Sequence, residues 1–144
     1  MMRRERGVAL VVTLILLSGL GALALAAAAA AAAALALSSH QQSAQNAFQA
    51  AEAGIVQSLS RAAATRSEGS IPITPYPESG NPVATLQTVT TAVVEPGALP
   101  FGFSIGENPH TFSARHFFIV SDGRAARSTH TRLEQGFYLV EPAG

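Results

Sequence analysis

The chain lacks cysteine, lysine and tryptophan, and Asp122 is its only aspartate. Without cysteine there is no disulfide, no thiolate zinc site and no thiol nucleophile. With one aspartate, a Ser-His-Asp arrangement has a single candidate acid. That acid sits in Asp122-Gly123, which reads more simply as a turn. No glycine-rich phosphate loop and no paired-carboxylate pattern is present. The chain is therefore read as a protein that is not an enzyme and that uses no cofactor. All nine basic residues are arginine, nine acids balance them, and the formal net charge is zero. That balance argues against a nucleic-acid partner.

Two further absences shape the first half. No proline precedes Pro72, so nothing breaks a helix there. Residues 8–51 contain no charged side chain, and His40 is their only ionisable group. Within 8–37 the polar side chains are Thr13 and Ser18 alone. A bilayer core of about 30 Å needs roughly 20 apolar helical residues, and this run exceeds that. It also exceeds the roughly 7–15 apolar residues of an ordinary secretory signal. Leu10, Val11, Val12, Leu14, Ile15, Leu16 and Leu17 supply the apolar demand of a membrane anchor. Nine consecutive alanines at 26–34 extend the helix without a strong demand for lipid. Arg3, Arg4 and Arg6 ahead of the run place the N-terminus on the cytoplasmic side.

Residues 38–65 turn polar but keep a helical repeat, with Phe48, Ala51, Ile55, Leu59 and Ala62 as the expected apolar stripe. One helix is thus expected from about Val8 to about Ala64, roughly 85 Å at 1.5 Å per residue. The remaining chain makes a globule only about 30 Å across. Such a globule covers the polar half of the helix at most, so the apolar half requires lipid and then protein neighbours. Its small residues permit close helix approach.

The rest reads as a linker and a small sheet. Four prolines and two glycines mark 66–84 as a linker. From 85 to 144 a small antiparallel headgroup is expected, with strands at 85–95, 101–105 and 115–120. A turn falls at Pro96-Gly97. A hairpin is expected at Asp122-Gly123, with 124–131 as the return strand and a break near Gln135-Gly136. That register pairs His116 with Thr129 and Arg115 with His130, which puts the two histidines on opposite faces and rules out a shared metal. Arg115, Arg124, Arg127 and Arg132 make this sheet basic, which reads as a solvated face.

Two stretches carry a family resemblance. Arg4-Glu5-Arg6-Gly7 before the apolar run resembles the class III leader of type IV pilins and pseudopilins. The resemblance implies cleavage by a prepilin peptidase between Gly7 and Val8, with methylation of the new N-terminus and residues 1–7 as leader. Asn46-Ala47-Phe48-Gln49-Ala50-Ala51-Glu52-Ala53-Gly54-Ile55 resembles the helix motif of PilX-type minor pilins. It implies a packing role for Phe48, Ala51, Glu52 and Gly54. Two features depart from most pilins. The fifth residue of the mature chain is Val12 where they carry glutamate, and the C-terminal cysteine pair is missing. PilX-type minor pilins also tend to lack that glutamate.

The resemblance implies an α+β, pilin-like fold. It also implies a minor subunit in the bacterial inner membrane with a periplasmic headgroup, entering the pilus on assembly. Its partners would be other minor and major pilins, the prepilin peptidase, the inner-membrane assembly platform and membrane lipid. A minor pseudopilin of a type II secretion system shares both stretches. A signal-anchored periplasmic binding or adaptor domain is the alternative from a different class.

Overall fold

The computed structural model describes residues 2–92 and 112–142. Their order is one helix followed by four strands: α1 (Met2–Thr65), β1 (Gly69–Tyr76), β2 (Ala84–Ala92), β3 (Phe112–Ala125) and β4 (Thr129–Pro142). This is the expected α+β layout. The chain divides into two compact units, Met1–Gln41 and Gln42–Gly144. The first is helical. The second holds the rest of α1 and an antiparallel sheet in the order β1-β2-β3-β4.

Helix α1 starts at Met2, before the expected Val8. It stops at Thr65 through local chemistry. Arg66 adopts a left-handed φ of 52° and its N–H bonds the Ala62 carbonyl at 2.8 Å. This is the left-handed helix stop, usually made by glycine. Arg115 holds it in place by donating to the Arg66 carbonyl at 3.0 Å.

In the second unit α1 lies on the sheet through small residues. Ser43, Ala47, Ala50, Ala51, Gly54, Ser58 and Ala62 are its buried positions. They recur at three- and four-residue steps, which is one helical face. This corrects the expected stripe. Ala51 and Ala62 do face the sheet, but Phe48 is 46% exposed and Leu59 40% exposed. Large side chains there would hold the helix off the strands. Opposite the small face lie Ala84, Leu86, Thr88 and Thr90 of β2, with Phe117, Ile119, Ser121 and Gly123 of β3. A Cβ on Gly123 would run into the Ala47 carbonyl oxygen and sit 2.8 Å from the Ala51 nitrogen. A Cβ on Gly54 would run into Ser121 and sit 2.6 Å from Thr88 Cγ2. Helix and sheet backbones therefore approach as closely as glycine permits.

The dry centre is small. Ala50, Ile71, Ala84 and Leu86 form it, with Ala53, Tyr76 and Ala125 packed against them. Buried hydroxyls continue the contact as paired groups. Ser58 donates to Thr88 at 2.8 Å, and Ser121 donates to the Ala51 carbonyl at 2.7 Å. Pairing removes most of the cost of burying them. Midway along the β3–β4 ladder Phe117 stacks on Phe137 with centroids 5.0 Å apart.

Three expectations about the sheet are corrected. Residues 66–84 are not all linker, because Gly69–Tyr76 is strand β1, paired with β2. Pro72 and Pro75 are tolerated because β1 is an edge strand, and the register shifts between Ile71 and Thr74. The headgroup sheet thus begins at Gly69, not at residue 85.

The second correction concerns the hairpin. Asp122 and Gly123 lie inside β3, opposite Arg132 and Thr131. The turn is five residues later, where Arg127 and Ser128 have φ of 58° and 57° and Thr129 N–H bonds the Ala126 carbonyl at 3.2 Å. Both central residues of such a turn need positive φ, usually supplied by Asn-Gly. Gly123 is spent on the helix contact instead, and non-glycine residues take the strained turn.

The third correction follows from the second. Residues 124–125 belong to β3, and β4 runs unbroken through Gln135 and Gly136, which pair with Ile119 and Phe118. The expected strand at 101–105, the turn at Pro96-Gly97 and the end of the 85–95 strand lie outside the described residues.

Candidate functional site

Two surfaces of α1 carry the candidate residues. The first is the apolar run. Leu10, Leu14, Ile15, Leu16 and Leu17 are 61–75% exposed, and Val11 and Val12 are 55% and 49% exposed. Val8 is 65% exposed, and no neighbour lies within 4 Å of a Cβ built on Gly7. The helix is long and apolar enough to cross a membrane, and none of its most apolar window is buried. A buried core helix can be as long and as apolar, but its apolar side chains are covered.

The polar groups in this run are satisfied within the helix. Thr13 donates to the Leu10 and Ala9 carbonyls at 2.9 and 3.0 Å, and Ser18 donates to the Ile15 carbonyl at 2.9 Å. A hydroxyl in hydrocarbon needs such a partner, because no water supplies one.

The second surface is the face of α1 turned away from the sheet. Phe48, Glu52 and Val56 follow one another at four-residue steps, and Leu59 continues the row. All four are exposed, Val56 at 61%. The motif residues thus divide. Ala51 and Gly54 are buried against the sheet, whereas Phe48 and Glu52 point outward together. Sequence periodicity put large and small residues in one stripe, which the structure divides between the two faces. The missed signal was the row of small residues at the same period, which marks the closer contact.

The other polar candidates are dispersed. His40 is exposed on α1, and His110 lies outside the described residues. His116 is opposite Tyr138, with ring centroids 6.0 Å apart. His130 pairs with Arg124 and hydrogen-bonds Asp122 at 2.8 Å. In this register His116 and His130 share the outer face, not opposite faces as expected. Eight ladder positions separate them, roughly 27 Å at strand spacing. No group of three or more metal-ligating side chains is assembled among the described residues.

The four arginines do not form one surface. Arg115 bonds Arg66 and sits 3.5 Å from Glu141, and Arg132 bonds Glu134 at 3.2 Å. Arg124 and Arg127 are exposed near the hairpin end. There Arg124, Ser128, Thr129 and His130 line a shallow open groove.

One long apolar N-terminal helix with a small antiparallel sheet is pilin-like in general form. It is also the form of a chain whose helix can anchor it in a membrane. No family model, no curated protein and no solved structure matches the chain.

Proposed function

We propose that this chain is a minor pilin of the PilX type, a membrane-anchored structural subunit that takes part in type IV pilus assembly or its initiation. The observation that carries the reading is the division of α1 into two faces. Small residues hold the sheet, which leaves Phe48, Glu52, Val56 and Leu59 free for neighbouring helices. A row of exposed apolar side chains along one helix face suits a subunit packed among other helices.

The roles follow. Residues 8–37 anchor the chain in the inner membrane before assembly and pack against other pilins afterwards. The sheet is the periplasmic headgroup. Cleavage after Gly7 by prepilin peptidase precedes assembly, and the assembly platform and other minor and major pilins are the partners. Val12 at the position of the usual glutamate suits a subunit that joins a minor-pilin complex, because no buried carboxylate then requires a specific cation.

The test is the N-terminus of membrane-extracted protein, read by mass spectrometry. A methylated chain starting at Val8 and dependent on prepilin peptidase supports the reading. An intact N-terminus, or a cut within 24–36, overturns it.

A further inference from the structure

Contacts between α1 and the sheet fix which ends of the two lie together. Gly123 lies under Ala47 and Ala51. Ser121 donates to the Ala51 carbonyl, and Ser58 donates to Thr88. At the other extreme Arg115 donates to the Arg66 carbonyl. β3 therefore runs against the direction of α1, and the β3–β4 hairpin lies at the end where the second unit begins, at Gln42. The Ala125–Thr129 pair is two ladder steps beyond Gly123, about 7 Å. Gln42 precedes Ala47 by five residues, about 7.5 Å along a helix. The turn residues beyond that pair stand level with the first residues of the unit.

That end is basic, and two of its cations are unpaired. Arg115 and Arg132 have Glu141 and Glu134 beside them. Arg124 and Arg127, exposed at the turn, pair with no acid among the described residues. Nearby acids are few and engaged. Asp122 is hydrogen-bonded to His130 at 2.8 Å, and Glu78 in the β1–β2 connection accepts a hydrogen bond from Gln57 at 3.0 Å. Residues 38–51 of α1 carry no charged side chain. Arg124, Ser128, Thr129 and His130 line the open groove, a set of donors that suits phosphate oxygens. Arg127 stands there against the preference of its own backbone. Its φ of 58° is left-handed, a conformation that glycine takes without strain.

We infer that the β3–β4 hairpin rests on the bilayer surface, with Arg124 and Arg127 on the phosphates of anionic lipid headgroups. Position selects this partner. Residues 8–37 make a helix of about 45 Å, the thickness of a bilayer with its headgroup layers. Leu37 then lies among the headgroups on the side away from the N-terminus. Five residues lead from it to Gln42, at most about 18 Å even when fully extended. Chain length alone therefore ties the hairpin end of the sheet beside the lipid surface. One arginine near an anionic surface strengthens such a contact about fivefold, and two about thirtyfold. The contact rests on residues 8–37 being a membrane anchor and not on the pilin role.

The absence of cysteine allows one probe at a chosen place. In the full chain in vesicles, a fluorophore is attached to Ala126→Cys at the turn or to Ser67→Cys just past the far end of α1. The vesicles are phosphatidylcholine alone or with added phosphatidylglycerol, and both carry a quencher on the lipid headgroup. Flotation with the vesicles first reads the anchor. With phosphatidylglycerol the probe at 126 should be quenched well beyond the probe at 67. That excess should fall sharply in phosphatidylcholine alone and in high salt. Arg124→Gln combined with Arg127→Gln should weaken the contact about thirtyfold, and Arg127→Gly about fivefold. Arg127→Gly also eases the turn, so its near-UV melt should not fall below the parent. Arg127→Lys should keep the contact. Quenching at 126 no greater than at 67, equal quenching in the two kinds of vesicle, or a loss in R127K as large as in R127G would each overturn the inference. A chain that fails to float would remove the anchor and this contact together. A chain that floats without the contact overturns this inference alone, and the N-terminal processing that tests the pilin reading is unaffected.

Discussion

Replacing Gly123 with alanine adds one methyl group at the closest approach of helix and sheet. The new Cβ would meet the Ala47 carbonyl oxygen and lie 2.8 Å from the Ala51 nitrogen. Both obstacles are helix backbone, so no rotamer change relieves them. Overpacking of this kind costs about 1–3 kcal/mol, and a backbone obstacle argues for the upper end. Against that, alanine restricts the unfolded chain and returns about 0.4–1 kcal/mol. The net expectation is a loss of about 2 kcal/mol. For a domain of roughly 100 residues each kcal/mol moves Tm by about 4–8 °C, so the melt should fall by about 8–16 °C.

Far-UV signals are dominated by α1, whose apolar half persists in micelles. The melt is better read from near-UV tyrosine signals, because Tyr76 and Tyr138 both sit in the sheet. Gly136→Ala is the control, since nothing lies within 4 Å of the Cβ it would add. It should be neutral or slightly stabilising. If G123A melts at or above the parent, or if G136A is the more damaging, the close-approach account is wrong.

Ile71→Ala should cost about 2–4 kcal/mol, because Ile71 is 6% exposed within the small core. Phe48→Ala should cost under about 1 kcal/mol, because its ring is half outside. Denaturant midpoints of the two variants compare these directly, and the reverse order would restore the expected stripe. Ser121→Ala removes the hydrogen bond to Ala51 and should cost about 1 kcal/mol, read as a shift in midpoint at unchanged slope. Arginine at both Leu14 and Leu17 should cost about 2.5–3.5 kcal/mol each toward insertion. Carbonate extraction of membranes should then release the variant, while the parent stays with the lipid.

Much of α1 was legible in the sequence. An uncharged run, nine alanines and no proline before Pro72 leave the backbone one economical arrangement, and i→i+4 bonding needs no distant partner. The strand at Arg115 to Val120 was legible for the same reason, since β-branched and aromatic residues cluster there. The candidate anchor follows from composition alone.

What the sequence left undecided depended on contacts between distant residues. Asp-Gly is a strong turn signal because glycine tolerates positive φ, yet Gly123 is needed for its missing Cβ under Ala47. The turn moved to Arg127 and Ser128, and every pairing in β4 moved with it. Pro72 and Pro75 signal a loop, but an edge strand needs ladder bonds on one side only. The face of α1 that meets the sheet could not be read from its large apolar residues, because backbone approach favoured Ala47, Ala51 and Gly54 over Phe48 and Leu59. By itself the sequence determined a long helix, an apolar segment able to span a bilayer and a β-rich remainder, all consequences of local composition. Tertiary structure alone decided the register of β4, the strand made from the apparent linker and the outward face of α1, because each rests on how closely two separate backbones can approach.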